Sequence, residues 1–278
     1  MEQKNPPPIK SLSGSPFELR LHGSATDEQA EAEAAVGEFG YLHSYTTGSA
    51  VDGPGIRTVL WTTGCHFRCQ YCHNPDTWHL KNGARVSAAE VLAEVARYQG
   101  FMRAGRGGVT ISGGEPLVQA PFVLRILRGC QQRGIHTALD TNGYLGDVLR
   151  DEDLDAADLY LLDIKSWDVA THLRATGKDV GDVLRFARRL AEHRRPMWLR
   201  FVLVPGLTDE RANIEGLADF AATLGNVERV EVLPFHQMGR SKWQRLGLRY
   251  TLDATQPPSA EATQQAQQIF RERGLMAV

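Results

Sequence analysis

The chain has 278 residues, 42% hydrophobic and 23% charged, with 31 basic against 33 acidic side chains, a formal net charge of −2 and four cysteines. The balanced charge lacks the broad positive field of a nucleic-acid-binding protein, and no run of about 18 apolar residues is available to span a bilayer. Four cysteines are too few for a disulfide scaffold of this size. The N-terminal Met1-Glu-Gln-Lys-Asn-Pro-Pro-Pro8 has no secretory apolar stretch. The expectation is a cytoplasmic protein with no nucleic-acid and no membrane partner, in which thiols serve a metal or catalysis.

Residues 1–38 combine a proline run with Ser, Gly and an Ala/Glu-rich stretch, and hold few large apolar side chains. Their composition predicts a disordered extension, although 25–36 could form a short helix. Residues 39–278 are expected to form one domain, because a single α/β barrel of roughly 200–250 residues accommodates that length. Short apolar runs predict strands over 57–63, 109–112, 135–140, 159–164, 198–204 and 227–233. Helices are predicted over 87–97, 121–133, 181–194, 210–224 and 259–273. The first of these opens on Ser87-Ala-Ala-Glu90, a capping box. Alternating strands and helices imply a parallel sheet covered by helices, open or curled into a partial barrel, with its active site at the C-terminal strand ends.

The most informative stretch follows the first predicted strand: Gly64-Cys65-His-Phe-Arg-Cys69-Gln-Tyr71-Cys72-His73-Asn74. Three thiolates so close on one loop can converge on a metal centre, and their softness selects zinc, copper(I) or iron–sulfur. A structural zinc site would need His66 or His73 as fourth ligand, and no distant second cysteine pair appears. Cys69-Gln-Tyr-Cys72-His73 matches a c-type haem attachment sequence, a modification out of keeping with a cytoplasmic chain. An iron–sulfur cubane held by three cysteines would leave one iron open to a small molecule.

The spacing Cys65-x-x-x-Cys69-x-Tyr71-Cys72 resembles the signature of radical S-adenosylmethionine (SAM) enzymes. Further stretches resemble one branch, the glycyl-radical-enzyme activases of the pyruvate formate-lyase type. These are Gly40-Tyr-Leu-His-Ser44, Val51-Asp-Gly-Pro-Gly-Ile-Arg57, Tyr71-Cys-His-Asn-Pro-Asp-Thr-Trp78, Gly108-Val-Thr-Ile-Ser-Gly-Gly-Glu-Pro116, Leu139-Asp-Thr-Asn-Gly143, Leu162-Asp-Ile-Lys165, Val204-Pro-Gly206 and Leu233-Pro-Phe-His236. They run in order from Gly40 to the C-terminus. No extra cysteine cluster follows Trp78, where activases of other glycyl-radical enzymes often carry a ferredoxin-like insert. In departure from the family pattern, Pro75 replaces a residue that is often basic, and the extension before Gly40 has no counterpart.

The resemblance implies a partial (βα)6 TIM-like barrel with a [4Fe–4S] cluster on Cys65, Cys69 and Cys72. SAM would chelate the open iron, and an electron from flavodoxin or ferredoxin would cleave it. The resulting 5′-deoxyadenosyl radical would take a hydrogen atom from a glycine of pyruvate formate-lyase. Implied SAM contacts are Tyr71, His73, Ser112, Gly113, Gly114, Glu115, Asp140, Lys165, Arg200, Val202 and His236. Asp140, Thr141 and Asp163 would hold a monovalent cation, Asp52 would meet the protein-substrate loop, and the enzyme would act as a monomer.

Bland alternatives stand beside these roles. Gly113-Gly114 and Asn142-Gly143 are also ordinary turn signals, and Asp52 precedes a flexible Gly-Pro-Gly turn. Cys130 reads as a packed core thiol, the arginines from Arg185 to Arg195 as a solvated helix end, and Trp78 and Trp243 as either packing or a protein-binding surface. Activation of another glycyl-radical enzyme, radical SAM chemistry on a small molecule such as a deazapurine precursor, and a non-catalytic zinc-binding protein remain alternatives.

Overall fold

The structure is a computed structural model that describes residues 26–278. Strands β1 (Phe39–Ser49) and β2 (Arg57–Thr62) pair antiparallel, and β3 (Ala84–Ser87) lies antiparallel on the outer edge of β1. Beyond β2 the sheet continues in parallel through β4 (Gly108–Gly113), β5 (His136–Thr141), β6 (Leu159–Asp163), β7 (Met197–Leu203) and β8 (Val227–Pro234). The strand order β3-β1-β2-β4-β5-β6-β7-β8 does not close, so the six parallel strands form the expected partial barrel. On the free edge of β8, Val230 N–H donates to Met276 O at 2.8 Å and Val278 N–H to Val230 O at 3.0 Å. The C-terminal residues thus cover a strand edge that would otherwise present unpaired backbone groups.

The parallel strands are legible because both of their faces are covered. Val109, Ile111, Leu161, Leu162, Leu199 and Phe201 are all inaccessible to solvent, which is why these stretches read as continuous apolar runs. The helices are α1 (Asp27–Val36), α2 (Ala88–Arg97), α3 (Gln99–Ala104), α4 (Ala120–Gln131), α5 (Val169–Thr176), α6 (Gly181–Glu192), α7 (Arg211–Leu224), α8 (Arg240–Arg245) and α9 (Ala260–Arg271). Ser87 and Glu90 form the predicted capping box, with Glu90 N–H 3.2 Å from Ser87 Oγ and Ser87 N–H 2.8 Å from Glu90 Oε2. Helix α4 buries Phe122, Val123, Ile126, Leu127 and Cys130, an apolar stripe at helical spacing. Cys130 is therefore a core residue. Among the described residues no helix is long and apolar enough to cross a membrane.

Three differences from the sequence expectation have physical causes. The disordered extension expected over 1–38 falls largely outside the described residues, but its last part is α1, capped by Thr26 and ended by left-handed Gly37. It docks through two small side chains, Ala30 and Ala34, so its buried face carries almost no hydrophobic signal. Strand β1 is half polar, and its alternation is broken by register shifts between Leu42 and Ser44 and between Thr47 and Ser49. The link from Trp78 to the Ser87 helix, for which no element was expected, contains a 3-10 turn (Leu80–Asn82) and the short edge strand β3.

Candidate active site

The loop after β2 carries the three cysteines and is fixed along its backbone. Gly64 N–H donates to Thr77 O at 2.7 Å and Cys65 N–H to Trp78 O at 3.1 Å, while Arg68 and Gln70 donate to Thr176 O and Ala175 O at the end of α5. Phe67 anchors the loop in the core, with its ring 5.5 Å from those of Tyr144 and His172. Trp243 Nε1 donates to Cys72 O at 2.8 Å, and Asn142 Nδ2 lies 3.9 Å from Cys65 Sγ. Burial pushes all three thiols up, Cys69 to about 12, so without a cation they are neutral at physiological pH. A bound metal reverses this preference by ionising its thiol ligands. Among the described residues no three His, Cys, Asp or Glu side chains are placed to hold a single metal ion. A cluster takes its thiolates on separate irons, so its ligands need not close on one point.

The Ser112–Glu115 segment leaves the C-terminal end of β4 and lies directly against this loop. Gly113 has φ +132°, and a Cβ there would fall 2.2 Å from the Thr62 backbone; one on Gly114 would fall 2.4 Å from Gly64 O. The chain itself thus requires both glycines, since Gly114 N–H donates to Thr62 O and Glu115 N–H to Gly64 O. Glu115 is buried and accepts from Leu117 N–H (3.0 Å), Thr141 Oγ1 (2.7 Å) and Asn142 N–H (2.8 Å), tying the end of β4 to that of β5. Burial outweighs these bonds and raises its carboxyl to about 7. Both Glu115 oxygens are occupied within the chain, a bracing role that its place in the motif did not reveal.

Charged side chains from four strands meet inside the barrel. Asp140 Oδ2 accepts from Ser112 Oγ at 2.6 Å and from Arg200 Nη1 at 3.2 Å. Arg200 also pairs with Glu231 at 3.0 Å and donates to Val51 O at 2.9 Å. Burial lowers the guanidinium's pKa, but Asp140, Asp163 and Glu231 more than compensate and leave it raised. Asp140 remains above the ordinary carboxylate range, through burial first and then Asp163, despite Arg200. Lys165 is 2.7 Å from Asp163, with its Nζ 5.9 Å from the centre of the Tyr71 ring. Burial opposes its charge, and Asp163, Tyr71 and Cys69 restore it.

The adenine-side candidates also converge. His73 and His236 stack with centroids 4.2 Å apart, and His73 Nε2 is 3.2 Å from His236 O. Burial and the second histidine lower the His73 pKa, favouring the neutral ring. Val202 packs beside a buried cluster that includes Tyr71 and Phe235. Three motif atoms, Tyr71 Oη, Asp140 Oδ1 and His236 Nδ1, are buried without a hydrogen-bond partner. Unpaired buried polar atoms cost free energy, so their placement on residues singled out as ligand contacts fits a polar ligand.

Asp52 lies in the β1–β2 loop, next to the Val51 carbonyl that Arg200 holds. Its carboxylate accepts from Ser49 Oγ and its carbonyl from Thr110 Oγ1 at 2.6 Å. Arg57, fully buried, donates to Pro54 O at 3.1 Å and Val109 O at 2.6 Å and so fixes that turn. Trp78 and Trp243 meet edge to face at 5.2 Å and seat α8 over the cysteine loop, so they pack together. Sequence reading missed Asp76, which is buried between His43 and Lys242, both at 3.0 Å; these partners and hydrogen bonds overcome burial and hold it at about 2. Its partners are 33 and 166 residues away, and no local pattern marks them. Arg185 and Arg189, expected on a solvated face, pair with Asp147, Asp151 and Asp182. A cavity of about 630 Å³ between α7 and α9 is remote from the cysteine loop in its lining, which includes Pro205, Arg211 and Pro257.

Residues 59–218 match the model of the Radical SAM superfamily, and the chain belongs to that superfamily. Across 246 residues it is 42% identical to the pyruvate formate-lyase-activating enzyme of Staphylococcus epidermidis, covering 86% of this chain and 98% of the relative. A solved domain of pyruvate-formate lyase-activating enzyme from Bacteroides vulgatus is 34% identical with a TM-score of 0.51, covering 62% of this chain and 98% of that domain. A radical SAM methyltransferase from Sphaerobacter thermophilus shares the fold, with a TM-score of 0.61 at 18% identity over 86% of this chain and 76% of its own.

Proposed function

We propose that this chain activates pyruvate formate-lyase: it reductively cleaves SAM and abstracts a hydrogen atom from one glycine of that enzyme, leaving a glycyl radical. The observation that carries the site is the placement of three half-buried thiols on one backbone-stapled loop beside the unpaired polar atoms of Tyr71, Asp140 and His236. Cys65, Cys69 and Cys72 hold a [4Fe–4S] cluster, which together with SAM supplies the hydrogen-abstracting radical when bound. The backbone of Gly113-Gly114 and the hydroxyl of Ser112 border the methionine part of SAM, with Glu115 bracing that turn from behind. Lys165 and Arg200 present cations to the SAM carboxylate and ribose. Their carboxylate partners keep both side chains charged and oriented before ligand arrives.

Tyr71, His73, Val202 and His236 form the adenine side. A monovalent cation lies among Asp140, Thr141 and Asp163, where it neutralises two neighbouring carboxylates that only partly share cationic partners. Asp52 meets the substrate glycine loop at the open side of the barrel. The enzyme works as a cytoplasmic monomer that takes its electron from flavodoxin or ferredoxin. Anaerobic preparation followed by metal analysis tests the cofactor: about four irons and four sulfides per chain, with SAM cleaved to 5′-deoxyadenosine and methionine, are expected. Stoichiometric zinc without sulfide overturns the reading.

A further inference from the structure

We infer that α1 is a clamp that positions the cysteine loop through the segment from Thr77 to Lys81. Asp27, Ala30 and Ala34 recur at i, i+3 and i+7 and so share one helix face. Asp27 Oδ1 accepts from Lys81 N–H at 3.1 Å, and its other oxygen is 3.4 Å from His79 and 3.6 Å from the Lys81 ammonium. Ala30 and Ala34 are buried against Leu80 and Tyr41. Glu33 fastens the helix to the sheet, accepting from Tyr41 Oη at 2.8 Å and Arg85 Nε at 2.7 Å.

The segment so held is the one that fixes the loop. Leu80 O accepts from Thr63 Oγ1 at 2.8 Å, Thr77 O from Gly64 N–H and Trp78 O from Cys65 N–H. The Leu80 side chain also abuts Gly64, where an added Cβ would lie 3.2 Å from Leu80 Cδ1. One short path therefore leads from α1 to the first cysteine. Releasing the helix frees Leu80 and its carbonyl; the other main contacts of α1 are with β1 and α4, so β6 and β7 are not among the elements it packs on. The consequence for the cofactor rests on the reading of Cys65 as a ligand; the clamp itself does not.

Hydrogen exchange on the full-length chain tests this, comparing the parent with Ala30→Glu/Ala34→Glu, with Asp27→Ala and with its conservative counterpart Asp27→Asn. Local openings exchange amides independently of global unfolding. The Gly64 and Cys65 amides should exchange about tenfold faster in the double variant and about threefold faster in Asp27→Ala, with Asp27→Asn near the parent and β6 and β7 unchanged. Iron release to a chelator should accelerate in the same order. If the double variant does not fold, the Asp27 pair decides. Exchange at Gly64 and Cys65 within twofold of the parent, or acceleration spread equally over β6 and β7, overturns the clamp. Faster exchange with unchanged iron release overturns only the link from clamp to cofactor.

Discussion

Replacing Arg200 by Met tests the charged centre of the barrel. In the parent, Arg200 bridges Asp140 and Glu231, and all three side chains are only 10–12% exposed. Methionine fills much of the volume but leaves buried Asp140 without its cation, Glu231 with only Arg229 at 3.6 Å, and the Val51 carbonyl without its donor. Breaking a buried pair on one side costs about 3–5 kcal/mol. With a urea m-value of about 3 kcal/mol/M, the midpoint falls by about 1–1.7 M. The sign with pH follows from Asp140, whose folded pKa is already raised by burial and rises further without Arg200. A carboxyl raised on folding loses stability as pH climbs from its unfolded toward its folded value, so the variant's deficit should be larger at pH 8 than at pH 5. Urea unfolding of cluster-free protein at both values is the assay, because a bound cofactor violates two-state behaviour. A midpoint drop below about 0.3 M at pH 8, or an equal drop at pH 5, would refute the reasoning.

Glu115 titrates at about 7 in the fold against 4.5 ordinarily, so through this group the parent loses stability as pH rises across that window. Glu115→Gln should flatten that part of the pH–stability curve, and parallel curves for the two proteins contradict it. Trp243→Phe removes the bond to Cys72 O and should cost about 1 kcal/mol in thermal or urea unfolding, with faster iron loss to a chelator. Cys130→Ala deletes a fully buried thiol and should lower stability by about 1–2 kcal/mol while leaving SAM cleavage intact. Cys69→Ala should abolish both cluster and SAM cleavage, and retained iron and sulfide at parental stoichiometry would argue against its role.

The parallel sheet was legible because burial on both faces forces continuous apolar runs, as in Leu159–Asp163, and because Ser87 and Glu90 announce their helix locally. The cysteines were legible because three thiols share one loop. Strand β1 was hidden by its polar face and two bulges, and α1 by docking through alanines. The motif drew attention to Glu115 and Gly114 as ligand contacts, whereas the fold shows that chain-to-chain bonds also demand them. The group formed by Asp76, His43 and Lys242 exists only in three dimensions and left no trace at sequence level.

Electron paramagnetic resonance of pyruvate formate-lyase, incubated anaerobically with this protein, SAM and a reductant, tests the central claim most directly. The glycyl-radical doublet should appear with the parent and be absent with Cys69→Ala. With the cluster intact and SAM bound, a spectrum showing no doublet from the parent would contradict the assignment of pyruvate formate-lyase as substrate.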